Sequence, residues 1–315
     1  MKTLSFVLWP IAPFRLDLTV WALRRRARNI VDRWDGANYR RVMVVDEGPL
    51  EVLVMQSGTP ERAQLRITLT GKHIKRKSQD TVTSALTRML GLRIDLGEFY
   101  RLAAGDKCLG VLAEQFRGLK PPRFPDVFEG LVNAIACQQL SLTVGIELQN
   151  RLARRCGPAL QSDRSIEFGF PRSKELLLLK PDAFRELGFS YRKAKYLLGL
   201  SQETATGQFD FGQLEHLDNP AVTQMLLRLH GVGRWTAEYV LLRGLGRTNV
   251  FPGDDVGARN RLALWLGLRR SLDYSSTRRI VNRWQPYAGL VYLHLLLAGL
   301  TQSGEILQTG PLAIP

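Results

Sequence analysis

The chain has 315 residues, 45% of them hydrophobic, which provides for two domains or one large one with a sizeable core and argues against disorder over most of its length. With 44 Lys and Arg against 29 Asp and Glu the net charge is +15, which favours a polyanionic partner, nucleic acid above all, once that charge gathers on one face. Three scattered cysteines, Cys108, Cys137 and Cys156, exclude a disulfide framework, fall short of the closely spaced thiolates of an iron–sulfur cluster, and suit a reducing cytosol.

The apolar start from Leu4 to Phe14 is broken by Pro10 and Pro13 and lacks a small-residue cleavage site, so it does not read as a signal peptide. Tyr39 to Asp46, Leu50 to Gln56 and Gln64 to Thr70 are strand-like. In the last of these Leu65, Ile67 and Leu69 alternate with Arg66, Thr68 and Thr70, and the turns at Pro49 and Gly58-Thr59-Pro60 predict antiparallel hairpins. Ser78 or Asp80 starts a helix with Val82, Leu86, Met89 and Leu90 on its core side. Two basic runs, Arg24-Arg25-Arg26-Ala27-Arg28 and Lys72 to Lys77, are read as solvated faces in preference to phosphate contacts.

From Gly91 helical spacing takes over. A helix over 96–119 is expected to pack with the C-terminal helices, and a Pro-rich joint follows at Lys120 to Pro125. Asp126 and Glu129 form a capping box for a helix burying Phe128, Leu131, Val132 and Ile135, and Ser141 caps the next one, leaving Gln138 and Gln139 at the junction. Tyr191, Arg192, Lys193 and Lys195 stand at a helix start, as a backbone-contacting loop or as the wet face of an amphipathic helix.

Asn219 is read as an N-cap with Pro220 at the first helical position, and Val222, Met225, Leu226 and Leu229 form one buried face. Gly231-Val232-Gly233 then makes a tight hairpin with bare amides, and the next helix packs through Ala237, Val240, Leu241 and Gly244. The N–H groups at its start offer a seat for an anion such as a nucleic-acid phosphate. Phe251-Pro252-Gly253 breaks the chain, and Asp254-Asp255 opens a third helix with Leu262, Trp265 and Leu266 facing inward. Ser275 to Pro286 and Tyr287 to Leu300 predict two closing helices, with His294 as a core residue and no run long enough to span a bilayer. The organisation expected is a mixed α/β unit over 1–94, an all-α region over 95–300 and a tail over 301–315. On the residues alone either Asp254 or Asp255 serves equally as a helix cap.

The run L-H-G-V-G-R-W-T-A from Leu229 to Ala237, followed by V-F-P-G-D-D ending at Asp255, resembles the helix-hairpin-helix DNA glycosylase superfamily and is closest to its 3-methyladenine DNA glycosylase II branch. The resemblance implies an α+β fold. A small antiparallel sheet domain with helices, similar to the TATA-binding protein, precedes an all-α helix-hairpin-helix glycosylase domain. It implies a monomeric base excision repair enzyme, cytoplasmic and nucleoid-associated, that binds damaged double-stranded DNA and flips the base out of the stack. The bases expected are alkylated purines, 3-methyladenine and 7-methylguanine. The alternatives are another damaged base, hypoxanthine or 8-oxoguanine, and a non-catalytic helix-hairpin-helix DNA-binding protein.

The match to the second Asp of the family's pair makes Asp255 the catalytic carboxylate, opposing the positive charge that develops on the sugar. Trp235 and Tyr239, one turn apart, line the base pocket, with Leu296 where relatives carry a stacking Trp. Gly231, Val232, Gly233, Arg234 and Thr236 contact DNA. Gln138 and Gln139 lie in the segment that inserts a wedge, and Gln139 stands where the branch commonly has Leu. Trp235 occupies the position at which bifunctional relatives place a Schiff-base Lys, which implies no lyase activity. The hairpin carbonyls of Leu227, Leu229 and Val232 are expected to hold a monovalent cation, with no other cofactor and no iron–sulfur cluster.

Overall fold

Residues 1–45, 48–161 and 165–306 are described in the computed structural model. One antiparallel sheet carries β1 (Lys2–Leu8), β2 (Arg33–Trp34), β3 (Asn38–Val45), β4 (Gly48–Ser57) and β5 (Gln64–Gly71) in the order β1-β5-β4-β3-β2. The three expected strands are β3, β4 and β5, and Asp46 lies outside the described residues. Strand β1 is an addition to the sequence reading: only its long-range pairing with β5, Leu4 opposite Leu69 and Phe6 opposite Ile67, makes a strand of the apolar start.

Helices α1 (Leu16–Arg24) and α2 (Arg76–Met89) cover the inner face of the sheet, where Val20, Leu23, Val82, Leu86 and Met89 pack with Val52, Val54, Ile67 and Leu69. Helix α2 begins at Arg76, earlier than expected. Ser78 caps it from within the first turn, its Oγ accepting the Lys75 amide at 3.0 Å. The helix expected over 96–119 is two, α3 (Gly97–Ala104) and α4 (Lys107–Gln115). Asp106 divides them by accepting the amides of Cys108 and Leu109, both at 3.0 Å, as the cap of α4.

The chain continues through α5 (Val127–Cys137), α6 (Leu142–Cys156) and a two-stranded hairpin of β6 (Ala159–Gln161) and β7 (Ile166–Phe168). Then come α7 (Ser173–Leu176), α8 (Pro181–Glu186), α9 (Tyr191–Ala205), α10 (Asn219–Leu226), α11 (Arg234–Arg243), α12 (Val256–Trp265), α13 (Tyr274–Val281) and α14 (Ala288–Gln302). One hydrophobic core gathers α3, α4, α12 and α14 with Leu18 and Ala22 of α1, and another gathers α5, α6 and α8 to α11. Among the described residues no helix is long and apolar enough to cross a membrane. The tail beyond Ile306 lies outside the described residues.

Two caps differ from expectation. Asp218, not Asn219, caps α10, accepting the Ala221 amide at 2.8 Å, so Asn219 is the first helical residue. Asp126 caps α5 through the Glu129 amide at 2.7 Å, but the Glu129 side chain does not close the capping box. It pairs instead with the buried Arg41 of β3, which also donates to Asp32 at 2.7 Å, and this ion-pair group fastens the sheet to the helical body.

Candidate functional site

A cleft of about 1210 Å³ opens where the α5–α6 junction, the α10–α11 hairpin, the start of α12, the end of α14 and the end of α1 meet. Asp255 lies in its wall as the N-cap of α12. Its Oδ1 accepts the Ala258 amide at 2.8 Å, its Oδ2 accepts the Tyr292 hydroxyl at 3.0 Å, and the Trp235 indole N–H reaches Oδ2 at the long limit of 3.5 Å. Burial first, and then the carboxylate beside it, push the Tyr292 phenol well above its ordinary value, so it remains a donor. Asp254 is used differently: it pairs with Arg234 Nε at 2.6 Å, and that guanidinium sits 3.7 Å from the centroid of the Tyr274 ring. The loop that carries both carboxylates is clamped by Glu238, which accepts the Gly253 amide at 2.9 Å and the Tyr274 hydroxyl at 2.7 Å.

Trp235 stacks on Tyr239 with ring centroids 5.5 Å apart and planes 28° apart, so the two residues form one aromatic wall. Trp235 is the more exposed layer. Tyr239 backs it, 3% exposed, its hydroxyl donating to Asn133 Oδ1 at 3.0 Å and accepting from Arg25 Nη1 at 2.9 Å. Leu296 lines the same cleft as a buried apolar surface.

The hairpin joining α10 to α11 turns at Gly231, whose φ of +87° suits glycine, and a Cβ there would stand 2.3 Å from the Tyr196 ring. Gln138 braces it, Nε2 donating to the Gly231 carbonyl at 2.8 Å and to Thr236 Oγ1 at 3.1 Å. Thr236 is therefore buried with its hydroxyl engaged, and Val232 is packed in the core. Neither side chain reaches the surface, so these two positions offer a partner their backbone alone. Gly233, Arg234 and Gln139 are exposed, and Gln139 adopts φ +55° on the cleft rim beside Leu140, itself 43% exposed. Of the carbonyls expected to hold a cation, that of Leu229 accepts the Val232 amide at 3.1 Å, while those of Leu227 and Val232 accept no backbone hydrogen bond among the described residues. Uncharged carbonyl oxygens of this kind fit a hard monovalent ion.

The basic runs part ways. The charged residues from Lys72 to Lys77 are exposed, in the link from β5 and the first turn of α2, as expected, but the solvated reading of the first run is overturned by the burial of Arg24 and Arg25. Arg24 spends its guanidinium on carbonyls, with Nη1 on Trp34 at 3.0 Å, and Arg25 turns inward to line the cleft. Lys193 likewise is a brace, its Nζ donating to the carbonyls of Ala136 at 2.9 Å and Gln138 at 2.8 Å, while Tyr191 stays exposed. Sequence reasoning missed Arg25, Asn133, Glu238 and Tyr292. Of these only Tyr292, the one hydroxyl early in the apolar run of α14, leaves a local signal.

The HhH-GPD superfamily of base excision DNA repair proteins matches residues 132–286. The chain is 25% identical over 218 residues to the DNA-3-methyladenine glycosylase of Bacillus subtilis (strain 168), across 68% of this chain and 72% of that one. It is 30% identical over 190 residues to DNA-3-methyladenine glycosylase 2 of Escherichia coli (strain K12), across 59% and 63%. The solved structure of the 3-methyladenine DNA-glycosylase from Archaeoglobus fulgidus superposes with a TM-score of 0.81 at 26% identity, covering 93% of this chain and 97% of that one.

Proposed function

We propose that the chain is a monofunctional DNA glycosylase of the HhH-GPD superfamily of base excision DNA repair proteins, acting on alkylated purines, a reading supported by the superfamily match and by the relatives that it resembles. The observation that carries the proposal is the placement of Asp255. Its carboxylate is fixed by neutral donors, beside an aromatic wall, one hairpin away from bare backbone amides. Those amides and the start of α11 bind a phosphate, while a cation at the carbonyls of Leu227, Leu229 and Val232 would add charge for the same backbone. Gln139 on the rim takes up the space left in the stack when the base turns out.

In the cleft the flipped base lies on Trp235, with Tyr239 behind it and Leu296 opposite as an apolar surface. An alkylated purine such as 3-methyladenine or 7-methylguanine carries a positive charge, leaves readily with the bonding electrons, and needs no general acid. Asp255 opposes the charge that develops on the sugar and orients a water, whose oxygen bonds to the anomeric carbon as its proton is released. The product is an abasic site with the backbone intact, because Trp235 supplies no amine for a Schiff base.

The test uses duplexes each bearing one defined lesion, scored for abasic sites. Asp255→Asn keeps the helix cap, since Asn caps as well as Asp, but removes the charge. Base release is expected to fall by several orders of magnitude while DNA binding persists. Normal excision by Asp255→Asn with loss in Asp254→Asn moves the assignment to the neighbouring carboxylate, and activity in both variants ends it.

A further inference from the structure

Behind the Trp235–Tyr239 wall the cleft holds a positive charge that the chemistry above does not use. Arg25 follows the last residue of α1 at φ +60°, a left-handed conformation uncommon for a residue other than glycine, and its side chain runs inward until it is 5% exposed. Nη1 donates to the Tyr239 hydroxyl at 2.9 Å and Nη2 to Asn133 Oδ1 at 2.7 Å, and the guanidinium carbon lies 5.9 Å from the Tyr239 ring centroid. Both fixed partners are neutral. Among the described residues Arg25 makes no ion pair, and its Nε is buried without a hydrogen-bond partner. A guanidinium keeps its proton in any protein, so a full charge stands unneutralised in the wall of the cleft.

That charge works against the aromatic wall. The faces of Trp235 and Tyr239 attract a cationic base, whereas Arg25 repels it and leaves a neutral base untouched. We propose that Arg25 is a specificity-determining residue, which lowers the preference of the cleft for positively charged bases relative to neutral ones. The proposal rests on the glycosylase reading. It predicts that the chain releases neutral hypoxanthine alongside charged alkylpurines instead of rejecting it.

The experiment compares single-turnover release of 7-methylguanine and of hypoxanthine from otherwise identical duplexes. The pH is held slightly below neutral so that 7-methylguanine keeps its charge. The full chain, Arg25→Met, Arg25→Gln and Arg25→Lys are each measured on both substrates. Taking both rates from one preparation makes their ratio independent of how much of a variant is folded. Loss of the charge in the Met and Gln variants is expected to raise the 7-methylguanine to hypoxanthine ratio about tenfold, as for two charges separated by a few side-chain diameters in a partly dry site, and Lys is expected to restore the original ratio. An unchanged ratio in Met and Gln, or an equal rise in Lys, overturns the inference and leaves Arg25 a fastener of α1. Release of neither base by the unaltered chain overturns the glycosylase reading itself, and this inference with it.

Discussion

In the reaction proposed, a carboxylate that opposes positive charge on a sugar must not be neutralised by a neighbouring cation. Asp255 meets that condition because its partners are the Ala258 amide, the Tyr292 hydroxyl and the Trp235 indole, all uncharged donors. Asp254, one residue away, is paired with Arg234 and so has little charge left to offer. The same economy applies at Trp235. An indole in place of an amine cannot form an imine with the opened sugar, so borohydride should trap no covalent protein–DNA complex on a lesion duplex, and strands should break only after alkali or heat. A borohydride-dependent adduct seen on a denaturing gel would sink the assignment of monofunctional chemistry.

Helix α14 carries Tyr292 to the cleft and does so from within the core. Two residues on, His294 is wholly buried, with Nδ1 at 2.8 Å from the Leu290 carbonyl and Phe99 packed 5.2 Å away, ring centroid to ring centroid. Burial pulls its pKa down to about 4 from the ordinary 6.5. The folded value lies below the unfolded one, so as pH falls the unfolded chain takes up the proton first. The stability attached to the neutral ring is fully present above about pH 6.5 and is lost progressively towards pH 4, by about 3 kcal/mol in all. Melting curves over that range should show a steeper fall for the unaltered chain than for His294→Gln, whose side chain does not titrate. Parallel curves would mean that the ring titrates alike in the folded and the unfolded chain.

At the scale of the whole molecule, the sheet and the helical body are joined by charge as well as by apolar packing. Arg41 of β3 is 2% exposed between Asp32 and Glu129 of α5. Burial works against its charge, but the two carboxylates outweigh it and hold the guanidinium well above its ordinary value. Removing the cation alone leaves two acids in a dry site, so Arg41→Met should cost about 3 to 5 kcal/mol in urea denaturation, and adding Glu129→Gln should recover part of it. A loss under about 1 kcal/mol would mean that water reaches the group. The net charge of +15 is also placed at this scale, with Arg25, Arg26, Arg192, Lys193 and Arg261 all lining the cleft.

The sequence by itself determined what is local. The hairpin from Leu229 to Ala237, the carboxylate pair after Gly253, the indole at Trp235 and the alternation of β5 each lie within a few turns or one strand, where spacing and turn chemistry act directly. Tertiary structure decided everything that depends on partners distant along the chain. Asp255 is distinguished from Asp254 by Tyr292, 37 residues downstream, and the aromatic wall acquires its charge from Arg25, 214 residues upstream of Tyr239. The same cause lies behind the errors. A basic run after a helix reads as solvated because no local pattern marks its burial, a capping box fails because Glu129 finds Arg41, and an apolar start becomes β1 because β5 lies beside it. Side-chain chemistry names which groups are able to act, and only the packing of distant segments settles which of them are neutralised, buried or left free.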